Sequence, residues 1–231
     1  MCGRYASARS TADLATLLGA TDETGERLAE PDYNVAPTKH VPAVVVRRDE
    51  RRLVALRWGL VPSWAKDPRI GSRLINARVE TVSDKPAFRA AFARRRCLLP
   101  ADGYYEWQPP AEGRPSAKNP KQPYYLSPAD GSPFVMAGLY EIWKDAEGRA
   151  LWTATVITTD AADEQGHIHD RAPLTVPVAI FDRWLDPAVE GGELLAELPP
   201  AVAGNLAATP VSTLVNDVRH NGPQLLVPST V

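Results

Sequence analysis

Cys2 is separated from the start of this chain by Met1 alone. Removal of Met1, which a small second residue generally permits, would leave an α-amine and a thiol on adjacent carbons of one residue. Such an amine titrates near ~8 and such a thiol near ~8.5, so both can act near neutral pH with modest help. An amine condenses with an aldehyde to a Schiff base, and the neighbouring thiol then closes a thiazolidine ring. A serine, or a cysteine inside the chain, cannot make that ring. Gly3 allows close backbone approach, and Arg4 can hold an anion. The plainer reading is that Cys2 is an incidental thiol.

Other chemistry is sparse. His167 and His169 form an H-x-H pair, but no second pair of ligands has zinc-like spacing. There is no GxGxxG opening a helix, no P-loop and no GxSxG. What remains is Cys2 and a scatter of Asn, Glu and His at strand ends and in loops. The second cysteine, Cys97, sits at a strand start and reads as a buried, reduced thiol rather than half of a disulfide.

The elements that must position these residues read as follows. "RSTADLATLLGA" is a helix, capped by Ser10 or Thr11 and ended by Gly19, with Leu14, Leu17 and Leu18 on one face. "VPAVVV" and "LVALRWGLV" are strands of a hairpin joined by the charged "RRDERR". "SDKPAFRAAFARRR" is a second helix, capped by Ser83 or Asp84, with arginines at its C-terminal end. "CLLPADGYYEWQ", "FVMAGLYEIW" and "WTATVITT" are three further strands. "GELLAELPPAVA" is a short helix and "PVSTLVN" a late strand. "QPPAEGRPSAKNPKQP" is a surface loop. Many short strands with few helices point to an α+β domain around a curved, mainly antiparallel sheet or open barrel. Trp58, Trp143, Trp152 and Trp184 are expected in its core.

The 231 residues, 44% hydrophobic and 23% charged, suit one globular domain with a sizeable core, and no linker divides them. No apolar run approaches the roughly 20 residues of a membrane span, and no signal peptide is evident. A cytoplasmic protein is expected. The net charge of −2 is unevenly spread: residues 33–99 hold 15 Lys and Arg against 5 Asp and Glu. That segment is either a phosphate-binding face or a set of solvated arginines.

Seven stretches occur in a familiar order: "MCGRY", "YNVAPT", "RWGLVPSWAKD", "INARVET", "RCLLPADGYYEW", "HIHDRAP" and "VSTLVNDVRHNGP". In this the chain resembles the SRAP family, the SOS response-associated peptidase-like proteins, over nearly its whole length. The resemblance implies a single barrel-like α+β domain over residues 1–231. It implies binding of single-stranded DNA and covalent attachment to abasic sites through Cys2, with autoprocessing that exposes Cys2, or slow release from DNA, as the root of the peptidase name. The partner is single-stranded DNA carrying abasic sites, met in the cytoplasm on the nucleoid by a monomer that needs no metal or other cofactor. Carried over motif by motif, Cys2 is the nucleophile, Asn76 bonds near the terminal amine or the sugar, Glu106 is the general acid/base and His169 shuttles a proton. Arg4 and Arg78 would hold phosphates, while Pro37, Trp64 and Trp107 would shape the DNA channel or stack on bases.

Each assignment has an alternative. Asn76 could satisfy a turn, and Glu106 could be an exposed strand glutamate, although large aromatics flank it and burial would raise its pKa. The arginine and proline at 171 and 173 match the family's His-x-Arg-x-Pro pattern and select His169 over His167, but Ala172 stands where methionine is expected. Two other functions compete with an abasic-site cross-linker: a cysteine peptidase using Cys2 and His169, and a non-covalent reader of single-stranded DNA.

Overall fold

The computed structural model describes residues 2–116, 118–161, 167–198 and 206–229. The chain opens with β1 (Tyr5–Ser7), α1 (Thr11–Leu18), β2 (Thr21–Asp22), β3 (Asp32–Val35), β4 (His40–Arg47) and β5 (Glu50–Trp58). After a long excursion come β6 (Asn76–Arg78), α2 (Arg89–Arg94), β7 (Arg96–Ala101) and β8 (Gly103–Gln108). β9 (Gln122–Pro128), β10 (Phe134–Lys144), β11 (Ala150–Asp160) and β12 (Arg171–Pro173) follow. The last elements are α3 (Phe181–Leu185), α4 (Gly191–Glu197) and β13 (Leu206–Pro210).

Five strands close into a barrel. β4 pairs antiparallel with β5 and, through Val44 and Leu98, with β7. β7 pairs with β10 and β10 with β11, both antiparallel. β11 then returns to β5 in parallel, Thr153 opposite Arg57 and Ala154 opposite Trp58. Strand alternation sorts the side chains. Val41, Ala43 and Val45 join Val54, Leu56 and Trp58 in an inner cluster, while Val44 and Leu53 pack into a second core with residues of the helices. With both faces covered, these strands read as apolar runs. Arg48 and Asp49 join β4 to β5 at φ 52° and 62°, the left-handed backbone that a twisted two-residue hairpin turn requires.

A second, antiparallel sheet runs β13-β9-β8-β1-β3. The expected single strand "CLLPADGYYEWQ" is two strands, one in each sheet. The chain turns at Asp102, whose N–H donates to Ala6 O at 2.9 Å and whose carboxylate accepts from Ala8 N and Arg9 Nε. Gly103 is required there, because a Cβ would lie 2.3 Å from the Tyr125 ring.

Residues 59–75 leave the barrel after β5 and return as β6 on the edge of β11 that β5 has vacated, Asn76 opposite Val156. Two backbones touch at the neck of this excursion. A Cβ on Gly59 would lie 2.6 Å from Gly71 O, and one on Gly71 would lie 2.5 Å from Gly59 O.

The first helix forms as expected, with Ser10 accepting from Asp13 N and Gly19 left-handed at φ 58°. The second is shorter and begins later than expected. Lys85 and Asp84 fold back on Thr81 O in a turn, Phe88 precedes the helix without a side-chain cap, and Ser83 bonds Asp84 instead. Arg96 is not on that helix. It is buried in β7, where its guanidinium donates to the carbonyls of Phe92, Trp184, Asp186 and Val189 and so ties α2 to α3. "PVSTLVN" is a strand only to Pro210. Ser212 then accepts from Leu214 N and starts a 3₁₀ turn, Thr213–Asn216. "GELLAELPPAVA" is helical to Glu197, and its residues 199–203 lie outside the described residues. α3 was not expected from sequence. Trp58 and Trp184 are fully buried, but Trp143 and Trp152 are half-buried: Trp143 donates to Ala65 O, and Trp152 stacks on Tyr140 beneath the Arg47 guanidinium.

Candidate active site

Cys2 is fully buried and belongs to the inner cluster with Tyr5, Trp58, Tyr104 and Ile168. Asn76 Nδ2 donates to Cys2 O at 2.8 Å, so β6 holds the first residues of the chain against the barrel. The Arg4 backbone N–H bonds the Cys2 sulfur. Burial, reinforced by the Glu106 carboxylate, pushes the Cys2 thiol far above its usual range, so the sulfur is protonated at neutral pH.

Glu106 reaches the same place from β8. Tyr5 of β1 lies opposite Tyr104 of β8, and Tyr104 and Glu106, two residues apart, share one strand face. Glu106 is 3% exposed. Burial raises its carboxyl to about 7; the amino terminus and Lys121 oppose the rise, and Asp170 adds to it. A group of that pKa both gives and takes a proton at neutral pH.

His169 precedes β12. Burial first, then the positive amino terminus, lowers its pKa, so the ring is neutral at pH 7. Its Nδ1 lies 3.0 Å from the Arg171 N–H and 2.8 Å from Asp170 Oδ1. These contacts need opposite protonation of Nδ1. The neutral ring fits the first, with Nδ1 accepting from Arg171 and the proton on Nε2; the Asp170 side chain is 85% exposed and free to turn into water.

Arg171 fastens two motifs together. Its guanidinium donates to Glu80 Oε1 and Asp160 Oδ1 at 2.6 Å each and to Thr158 O at 2.7 Å. Glu80 belongs to the segment carrying Asn76, so this ion pair fixes His169 relative to Asn76. Ala172, in place of the expected methionine, is buried in β12 opposite Thr159.

The rim is built around Arg4. Its NH1 donates to Asn34 Oδ1 and to Val215 O, both at 2.7 Å, and its guanidinium lies 5.8 Å from the centre of the Trp107 ring. Trp107 Nε1 donates to Asn216 Oδ1 at 2.7 Å. Arg78 is exposed at the end of β6, two residues from Asn76. Pro37 is half-buried in the turn before β4, next to Thr38, whose N–H donates to Trp58 O. Trp64 is 59% exposed on the excursion and packs into none of the three apolar clusters. Cys2, Asn76, Glu106, His169, Arg4 and Trp107 thus converge, whereas Trp64 stands out from the fold.

Sequence reasoning missed Asn34 and gave Glu80 and Arg171 no role in the site. All three lie inside the quoted motifs, and that membership was the available signal. Among the described residues, no group of three His, Cys, Asp or Glu is placed to hold a metal ion. No helix among them is long and apolar enough to cross a membrane.

The model of the SOS response associated peptidase (SRAP) family matches residues 1–218. The abasic site processing protein YoqW of Bacillus subtilis is 37% identical over 227 residues, covering 98% of this chain and 99% of that protein. The abasic site processing protein HMCES of Gallus gallus is 33% identical over 270 residues, covering 99% of this chain and 78% of that protein. A crystal structure of a protein from Bacteroides thetaiotaomicron superposes with a TM-score of 0.86 at 25% identity, covering 99% of this chain and 100% of that one. With its closed barrel and its ordered motifs, the chain belongs to the SOS response-associated peptidase family.

Proposed function

We propose that this chain captures abasic sites in single-stranded DNA through Cys2, after hydrolytic loss of Met1, and shields the lesion as a covalent adduct. The relatives named as abasic site processing proteins support the substrate class. The observation that carries the reading is the 2.8 Å bond from Asn76 Nδ2 to Cys2 O, which fixes the chain start beside Glu106.

The open form of an abasic sugar presents an aldehyde. The Cys2 amine adds to its carbon, forming the C–N bond, and Glu106 in its acid form protonates the oxygen. Water leaves and an imine remains. The Cys2 sulfur then adds to the imine carbon, and the thiol proton passes to nitrogen. The net change is one aldehyde and one aminothiol giving one thiazolidine and one water. His169, neutral and carrying its proton on Nε2, serves ring opening of the sugar. A thiol held protonated by burial suits this order, in which the amine attacks first. The only peptide bond this reading breaks is Met1–Cys2.

The test is incubation with single-stranded DNA containing one abasic site, followed by a denaturing gel and intact-mass measurement. A heat-stable adduct is expected from protein whose mass begins at Cys2. Cys2→Ser should lose it and retain only an imine that borohydride traps. A heat-stable adduct at full yield from Cys2→Ser, or from protein that keeps Met1, overturns the reading.

A further inference from the structure

Beside His169 lies a cleft of about 320 Å³ whose other lining residues the chemistry above does not use. Trp107 and Pro109 give it apolar surface, Lys121 and His167 nitrogen donors, and His169 and Asp170 complete the polar lining. The apolar surface is rigid: Trp107 is held by Asn216 at its N–H and by Arg4 over its ring. His167 is held by its carbonyl, which accepts from Gln108 Nε2 at 3.3 Å. Lys121 is exposed at the end of the Pro-rich loop and makes no ion pair among the described residues.

We infer that this cleft seats a phosphodiester adjacent to the lesion, with Lys121 as its anchor. The inference rests on the proposed reading of the Cys2 site and names the part of the substrate that the cleft takes. A cation, an imidazole and an indole wall next to a reacting sugar suit the next phosphate and its sugar better than a neutral ligand. Asp170 also lines the cleft and repels an anion, so the phosphate sits toward Lys121 and His167. The Lys121 ammonium already acts on both Glu106 and His169, which places it within the field of the reacting groups. A phosphate bound there would neutralise that field as the strand docks.

The experiment measures binding of an undamaged single-stranded oligonucleotide over a range of salt, then of abasic oligonucleotides carrying one neutral methylphosphonate at each flanking position in turn. Lys121→Ala should weaken binding about fivefold and reduce the salt slope by about 0.7. Lys121→Arg should restore both. One methylphosphonate position should weaken the parent about fivefold and leave Lys121→Ala unaffected. If the parent binds single strands and Lys121→Ala matches it in affinity, slope and methylphosphonate sensitivity, the cleft proposal falls while the site reading stands. If the parent binds no single strand at all, the site reading fails and takes this proposal with it.

Discussion

Arg4 and Asn34, 30 positions apart, are joined by a 2.7 Å hydrogen bond from guanidinium to amide oxygen. The same Asn34 amide donates to Val215 O, Asp217 O and His220 O at 3.3, 3.1 and 2.9 Å. One buried side chain therefore couples the strand that follows Cys2 to a loop near the other end of the chain. Asn34→Ala removes one acceptor from Arg4 and one donor from each of the Val215, Asp217 and His220 carbonyls. It should cost about 2–4 kcal/mol in chemical denaturation, because four hydrogen bonds made by one buried side chain are lost together. Asn34→Asp keeps the acceptor for Arg4 but sets a carboxylate against three carbonyls, and should cost at least as much. A loss below ~1 kcal/mol for Asn34→Ala contradicts this account.

Glu106 makes stability depend on pH in a defined direction. Its carboxyl is raised from 4.5 to about 7 in the fold, mainly by burial. Below the unfolded pKa the group is neutral in both states and costs nothing. As pH rises past it, the unfolded chain ionises freely and the folded chain resists, so stability falls until the folded pKa is passed and then levels off. Glu106→Gln should therefore be more stable than the parent at pH 8, by on the order of 3 kcal/mol. The two should converge near pH 4. Parallel melting curves across that window would exclude the burial of an ionisable Glu106.

Chemistry and binding should separate at Glu106 and His169. A positioned acid or base contributes about 10²–10⁴-fold to proton-transfer steps. Glu106→Gln and His169→Ala should slow single-turnover adduct formation by factors in that range. Affinity for undamaged single strands should hardly change. Both bonding atoms belong to Cys2, so the final adduct still forms. Release passes through the same imine and should slow as well. Parental rates of formation and release in both variants would return these residues to structural roles.

Arg78 and Arg4 are expected to behave differently despite their like charge. Arg78 is exposed, and Arg78→Ala should lower the salt slope of single-strand binding by about 0.7 without affecting stability. Arg4 is tied to Asn34, Val215 and Trp107, so Arg4→Ala should lower the melting temperature as well. Salt titrations and thermal melts on the two variants check this. Equal melting temperatures would show that the Arg4 contacts contribute nothing to the fold.

The sequence made the barrel strands legible where local chemistry decides. Val41, Val44 and Val45 mark a strand buried on both faces, and Ser10 and Gly19 bracket the first helix. It did not reveal the parallel closure of β11 on β5, which joins residues almost a hundred positions apart and leaves no local mark. The break at Asp102 was hidden for a related reason: a residue of turn type inside an apolar run becomes a corner only when Ala6 and Ala8 arrive to bond it. The short α2 and the 3₁₀ turn at Thr213 record tertiary contacts and local capping that overrode propensity. In the site, Cys2, Asn76, Glu106 and His169 stood out because their chemistry and their motifs agree. Asn34 did not, because the carbonyls that its amide nitrogen bonds lie 181 to 186 positions away.

The neck at Gly59 and Gly71 separates the exposed tip of the excursion from a base that stays packed on the barrel. Gly59 N is bonded to Ala154 O and Leu60 N to Leu74 O, so both ends are pinned before the segment projects outward. The exposed positions beyond the pinch, Ser63, Trp64, Lys66 and Arg69, can therefore change type without shifting the register of Asn76 on β11. One segment thus carries two duties: Leu60, Val61 and the Ala65 carbonyl stay docked on the barrel, while the surface around Trp64 can vary as the Cys2 pocket keeps its geometry.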